Sequence, residues 1–318
     1  MAAAGVLSAA GGITPRRASA AELMHLVVGY GAGGGADHVA RLVADSLSAP
    51  GSTLLVENRP GAAGLVALQA VLHAPAERPA LLLGTVGSVS IAPLLSPQAA
   101  DAGRLHAVAV IGSTPHVLLA GAAAPAAPPP AAALHGWLEQ ARRRPGQIGF
   151  ASPGMYSSAH LVGELMCRQA GVRMAHIPYP GSARALADLQ GGHIALLVST
   201  LQAALPLLRQ NRVRALAVTG ARRSPLAPDT PTFAEAGLAA MHHAAWYGVL
   251  AAPTVAAPAR DALALRLHAA LQRTALRQRL TQDGAEPLGW VGPAAADYLA
   301  AQRESWRDAV ALVGTRLG

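Results

Sequence analysis

The tightest constraint in this chain is a repeated order of parts: a short apolar run, a turn rich in glycine, serine or proline, then a helix-like stripe. Residues 26–30 read as a strand and run into Gly31-Ala32-Gly33-Gly34-Gly35-Ala36-Asp37. Residues 37–48 then place Val39, Leu42, Val43 and Leu47 on one helical face, with Arg41 and Asp45 spaced to pair on the other. Strands over 54–56 and 81–84 flank a helix over 64–73. This βαβαβ order predicts a parallel sheet with right-handed crossovers. The Ala/Pro stretch over 120–133, with Pro128-Pro129-Pro130, reads as a surface connection, because proline suits neither a central strand nor a helix interior. Beyond it, strands are expected over 148–151, 173–177, 194–199, 215–219 and 246–250. A helix is expected over 159–170, stopped by Gly171, and amphipathic helices over 259–280 and 294–312 close the chain. At 318 residues there is room for two such units, each able to bury a core.

Composition removes several chemistries. Lysine is absent, so all 25 basic residues are Arg. A Walker-type phosphate loop, a pyridoxal Schiff base and a protein kinase each need a lysine. The one cysteine, Cys167, excludes an internal disulfide, a CxxC pair and a multi-cysteine zinc site. It sits on an apolar helical face and reads as a small core residue. The 12 histidines, among them His160, His176 and His242-His243, lack the carboxylate or cysteine spacing of a metal site. His160 and His176 read as packing or surface groups, and no Ser/His/Asp set can be assigned. The net charge of +8 raises the question of nucleic acid, but Phe, Trp and Tyr make up only 3% of the chain and the arginines are scattered. Single-strand binding relies on aromatic stacking. A positive field that draws in small anions fits better.

The N-terminus carries a small apolar run over 2–13 and then Ala18-Ser19-Ala20, an A-x-A cleavage pattern. Residues 1–20 therefore read as a secretory signal peptide. No later run has the ~18 uninterrupted apolar residues of a membrane span.

Two loops are built for anions. In the first, the glycines of 31–35 let the backbone turn sharply before a helix whose first N–H groups have no partner within it. With the helix dipole, such a terminus accepts a carboxylate or phosphate. Asp37 reads either as the cap of that helix or as a group that orients a ligand amine or a water. In the second, the strand at 148–151 runs into Ser152-Pro153-Gly154-Met155-Tyr156-Ser157-Ser158, where Ser157 and Ser158 can cap a helix or offer hydroxyls to an anion. A third loop, Pro178-Tyr179-Pro180-Gly181-Ser182-Ala183, has the same position between strand and helix. Ligands in open α/β sheets sit beyond the carboxyl ends of strands, so one loop in each half points to a two-lobed clamp.

A competing reading comes from Gly29-x-Gly31-x-x-Gly34, which matches a dinucleotide fingerprint, with Glu57 ending the next strand. It would make the chain an NAD-dependent oxidoreductase. The acid lies further on than the roughly 20 residues such a fold uses.

Several motifs together resemble the substrate-binding proteins of tripartite tricarboxylate transporters, the TctC or Bug type. They are Val28-Gly29-Tyr30-Gly31-Ala32-Gly33-Gly34-Gly35-Ala36-Asp37, Val56-Glu57-Asn58-Arg59-Pro60-Gly61-Ala62-Ala63-Gly64, and His176-Ile177-Pro178-Tyr179-Pro180-Gly181. Arg214-Ala215-Leu216-Ala217-Val218-Thr219, Pro231-Thr232-Phe233-Ala234-Glu235-Ala236-Gly237 and Trp246-Tyr247-Gly248 follow in order. The resemblance implies a periplasmic, monomeric, two-lobed α/β receptor of the type II (Venus-flytrap) binding-protein fold with two crossover strands. Those crossovers are expected near 116–120 and 244–250. Lobe one is then 21–119 plus 245–318, and lobe two is 120–244. The implied ligand is a small carboxylate, such as a di- or tricarboxylate or an acidic amino acid, passed on to membrane subunits. No catalytic residue, cofactor, metal or nucleic acid is implied. By the same resemblance Tyr30, Ala32, Gly33, Gly34, Asp37 and Ser88 line the site from lobe one. Met155, Tyr156, Ser157, Ser158, Gly181 and Ala183 line it from lobe two. A sensory protein that binds the same solute would share all of these features. The chain departs from the family pattern at Glu77-Arg78-Pro79, at His193-Ile194-Ala195, at Pro180 and at Ala252-Pro253-Thr254-Val255.

Overall fold

The computed structural model describes residues 22–48, 52–122 and 127–314, so the signal-peptide reading of 1–20 lies outside the described residues. The first half of the chain forms as its alternation dictates. β1 (Glu22–Val28) leads through the glycine loop into α1 (Gly35–Leu47), and β2 (Ser52–Asn58) leads into α2 (Leu65–Leu72). β3 (Ala80–Thr85) is buried along its whole length and runs into a wide helical turn, Val86–Ile91, continued by α3 (Ala92–Leu95). β1 pairs in parallel with both β2 and β3. A strand covered on both faces needs no polar alternation, which accounts for the run Ala80-Leu81-Leu82-Leu83.

β4 (His106–Gly121) is the strand that joins the two halves. Its 16 residues extend about 50 Å at roughly 3.3 Å each. After it come α4 (Pro130–Arg143), β5 (Gly149–Ser152), α5 (Ser158–Gln169), β6 (Ala175–Pro178) and α6 (Ser182–Gln190). β7 (Leu196–Thr200), α7 (Leu201–Arg209) and β8 (Val213–Val218) complete the second half, and β9 (Ala244–Ala251) returns to the first. α8 (Ala257–Gln272), α9 (Thr274–Gln282), β10 (Glu286–Val291) and α10 (Gly292–Val313) end the fold.

Up to Pro115, β4 pairs with β9, and β10 runs along its other edge. From His116 onward it pairs with β7 and β8. One sheet therefore runs β2-β1-β3-β9-β4-β10 and the other β6-β5-β7-β4-β8, joined through a single strand. Pro115 stands at the change of partner, where a residue without an N–H breaks the ladder least. The main chain is tied again just past this point: Thr219 N–H donates to His116 O (2.9 Å), and His116 N–H donates to Thr219 Oγ1 (2.9 Å). α10 lies across the junction, packed on β4, on Val86–Ile91 and on α5. Its Trp306 is fully buried there, edge-on to His116 and close to His243. Cys167 is buried in α5.

The parallel pairing expected of the first three strands is found, and β9, β10 and the return through β4 add antiparallel pairs that make the sheets mixed. Two expectations need correction. The helix expected over 259–280 is two helices, broken at Arg273, whose backbone is extended (φ −67°, ψ 127°). α4 begins at Pro130, inside the stretch read as a connection, because proline is well tolerated at the first helical position. No helix among the described residues is long and apolar enough to cross a membrane.

Candidate functional site

Four helices begin at one cavity between the two halves. Gly34, Gly35 and Ala36 of α1, Ser157, Ser158 and Ala159 of α5, Ser182 of α6 and Thr200 of α7 all line it. Tyr30, Thr85, Val86, Pro153 and the β9 residues Ala245, Trp246 and Tyr247 close the walls. The space there measures about 480 Å³, counting the part that opens to solvent. Not one of these lining residues carries an ionisable acid or base of ordinary pKa. Burial pushes the Tyr30 phenol up to about 12 and raises that of Tyr247 further, so both stay protonated. Helix N-termini present N–H groups and positive dipole ends, so their convergence favours negative charge there without a cationic side chain among the lining residues.

Local sequence explains how the helices come so close. Gly34 caps α1 without a side-chain bond. A Cβ on Gly35 would lie 2.9 Å from the Tyr247 hydroxyl and 3.3 Å from Thr200 Oγ1, so glycine there lets both reach the helix end. Ser157 caps α5 by accepting from His160 N–H (3.2 Å), and Thr200 caps α7 by accepting from Ala203 N–H (3.3 Å). Trp246 is fully buried, and its indole N–H has no partner among the described residues. The halves touch at the mouth of the cavity. Gly31 N–H donates to Pro180 O (3.2 Å), and a Cβ on Gly181 would come within 3.1 Å of Gly31 N.

The sequence-predicted residues divide. Tyr30, Gly34, Ser157 and Ser158 line the cavity. Gly181 caps α6 beside the lining residue Ser182, and Ala183 follows it. Ala32 and Gly33 are exposed, and Gly33 borders a neighbouring cavity beside Gly34, Gly35, His38 and Gln202. Met155 and Tyr156 shape the bend before α5, with Tyr156 at φ 64°, and are half-buried off the cavity wall. Ser88 is buried away from the cavity and its hydroxyl is engaged with Thr85. Asp37 is neither the cap of α1 nor a group facing the cavity. Its carboxylate accepts from Gly33 N–H (3.0 Å), from Asn58 (3.0 Å) and from two Arg41 nitrogens (3.0 Å each). Burial opposes its charge, but these bonds outweigh that and hold its pKa below the usual carboxylate value. Arg41 thus reaches back to Asp37, not forward to Asp45. Sequence reasoning placed Ser182 in the third loop and Trp246 in a family motif without assigning either to the site, and it did not single out Thr200, which reaches the cavity from the end of β7.

The histidines expected to pack do so. His160 and His176 stack with ring centroids 3.6 Å apart and planes 11° from parallel, against Phe150. Burial lowers their pKa values to about 3 and about 4. The dinucleotide fingerprint has a packing explanation. A Cβ on Gly29 would fall 2.3 Å from Gly64 Cα, so this glycine lets two loops meet. Glu57 is engaged with Arg59 (2.8 Å) and His25 (3.4 Å).

A profile of the family described as "TctC: Tripartite tricarboxylate transporter family receptor" matches residues 39–311. This chain belongs to that family. The receptor is 28% identical to protein BugT of Bordetella pertussis over 303 residues, covering 93% of this chain and 91% of that one. It is 29% identical over 287 residues to a protein from the tcbD-tcbE intergenic region of a Pseudomonas species, covering 89% and 84%. Among solved structures, Rhodopseudomonas palustris Rpa4515 with adipate superposes with a TM-score of 0.83 at 30% identity, covering 92% of this receptor and 97% of that chain. The periplasmic binding protein BugD gives 0.82 at 28%, covering 92% and 97%. MatC of the same Rhodopseudomonas species, with bound malate, gives 0.80 at 27%, covering 91% and 98%. The two-lobed periplasmic binding-protein fold is therefore the fold of this receptor.

Proposed function

We propose that this receptor works in the periplasm, reached through a signal peptide at 1–20, and captures a small carboxylate between its lobes. It hands the solute to the membrane subunits of a tripartite tricarboxylate-type transporter and acts as a monomer. The lobes are 21–119 plus 245–318 and 120–244, a division supported by the nearby change of sheet in β4 and the return through β9. The observation that carries the reading is the convergence of four helix N-termini on a cavity with no charged lining side chain. Such a site suits an anion that must be bound and then released unchanged. The adipate and malate of Rpa4515 and MatC are anions of this class. The bound acid favours the closed state, with the hinge lying where β4 changes sheets.

The test is a thermal-shift panel on the chain from residue 21 onward, with C4–C6 di- and tricarboxylates, acidic amino acids, aromatic acids and NAD. A ligand at 100 times its Kd adds about 2.7 kcal/mol, a rise of roughly 5–10 °C for a protein of this size. One or more carboxylates should give that rise and NAD none. A rise with NAD alone sinks the proposal in favour of an oxidoreductase.

A further inference from the structure

Ser158 in the cavity wall is backed by a buried histidine, and the polarity of the pair can be read from its third partner. His116 is fully buried at the junction where β4 changes sheets. Its Nδ1 lies 3.2 Å from the main-chain oxygen of His243, and its Nε2 lies 2.8 Å from Ser158 Oγ. A carbonyl oxygen can only accept, so the ring proton sits on Nδ1. Burial lowers the His116 pKa to about 4, so the ring is neutral at physiological pH and Nε2 holds a lone pair. Ser158 Oγ must then donate its only proton to Nε2. Ser158 lines the cavity, and among the described residues no other group bonds its hydroxyl.

We infer that Ser158 meets the solute as a hydrogen-bond acceptor, and that the receptor selects a carboxylate bearing a hydroxyl group over its unsubstituted counterpart. The inference rests on the carboxylate reading above and narrows it. A carboxylate oxygen facing Ser158 would set lone pair against lone pair, so the carboxylate belongs at the helix N-termini. The group beside Ser158 must be a donor. A hydroxyl and an ammonium both donate, but the lining has no acidic side chain, and the converging positive dipole ends repel a cation. The neutral donor is therefore favoured.

Matched pairs of acids decide it, measured by calorimetry on the protein from residue 21 onward: malate and succinate, citrate and tricarballylate, lactate and propionate, with aspartate as the ammonium arm. The hydroxy acid of a binding pair is expected to bind at least tenfold tighter, about 1.4 kcal/mol. In Ser158→Ala the ratio should fall to near one. The nitrogen chemical shifts of His116, recorded on the unliganded protein, should show a protonated Nδ1 and a bare Nε2. Equal or tighter binding of the unsubstituted acids overturns the inference and leaves the carboxylate receptor standing. So does a preference that survives in Ser158→Ala, a proton on Nε2, or aspartate binding tighter than malate. If the folded protein binds no acid of either series, the carboxylate reading and this inference fall together.

Discussion

At the residue scale, Gly34 and Asp37 stand three positions apart and have opposite roles. Gly34 has ordinary backbone angles (φ −86°), and a Cβ there would make only normal contacts, 3.6 Å and more from its neighbours. It can accept a side chain without strain. Gly34→Asp would put a carboxylate on the end of α1, where it would cap the helix and occupy the anion site. The expected result is an unchanged or slightly raised melting temperature with at least a hundredfold loss of affinity for the acid that binds the parent. Retained affinity would remove α1 from the site. Asp37→Ala should do the reverse. It leaves Asn58, Gly33 N–H and Arg41 without their shared acceptor, at a cost of about 2 kcal/mol in urea unfolding, and binding of the acid by the folded fraction should persist. The sequence allowed Asp37 to be a cap or a ligand group. It does not cap α1, and its carboxylate is held by the loop before the helix, by β2 and by Arg41, the one partner at a spacing that the sequence reveals.

At the element scale, the strand–loop–helix units were legible because their information is local. Apolar runs, glycine turns and a 3.6-residue stripe are all written within about twenty residues. What was not legible is set by distant partners. β10 exists because an edge of β4 is open to it, and α8 and α9 separate at Arg273 with no glycine or proline to mark the break. α5 shows how such a distant constraint can be tested. Gly163 faces Phe150, and a Cβ there would sit 2.2 Å from the ring, which is itself wedged against His176 at 5.2 Å. Alanine is the better helix former by about 1 kcal/mol, so helix propensity alone favours Gly163→Ala. Overpacking a core costs typically 1–3 kcal/mol and should win. We expect a net loss of up to about 2 kcal/mol, read from the urea midpoint at an unchanged slope. A stabilised variant would mean that Phe150 has room to move.

At the scale of the whole molecule, the motifs gave the two-lobed plan, while the strand that changes sheets was only roughly placed. The change of partner falls between Pro115 and His116, and it is fixed by pairing with β7, β8 and β9, none adjacent in sequence. Burying His116 there and His160 in α5 ties the stability of the whole chain to pH. Both rings are less than 2% exposed, and burial holds their pKa values at about 4 and about 3, against an ordinary value of 6.5. In the unfolded chain each takes up a proton as pH drops through about 6.5, while in the folded chain each stays neutral until about pH 4. The unfolded state therefore binds more protons in that window, and stability falls as pH falls. Each histidine contributes up to about 1.4 kcal/mol per pH unit, so these two alone give a slope of roughly 2–3 near pH 5, and the half-buried His176, also held at about 4 by burial, steepens it in the same direction. Asp37 and Asp283, whose pKa values are lowered, add their own losses only below the ordinary carboxylate range. The onset near pH 6.5 therefore belongs to the histidines. Urea unfolding at half-unit steps from pH 7.5 to 4.5 should be flat at first and then decline from about 6.5. A profile that stays level down to pH 5 would mean that these rings are open to water and protons in the folded protein.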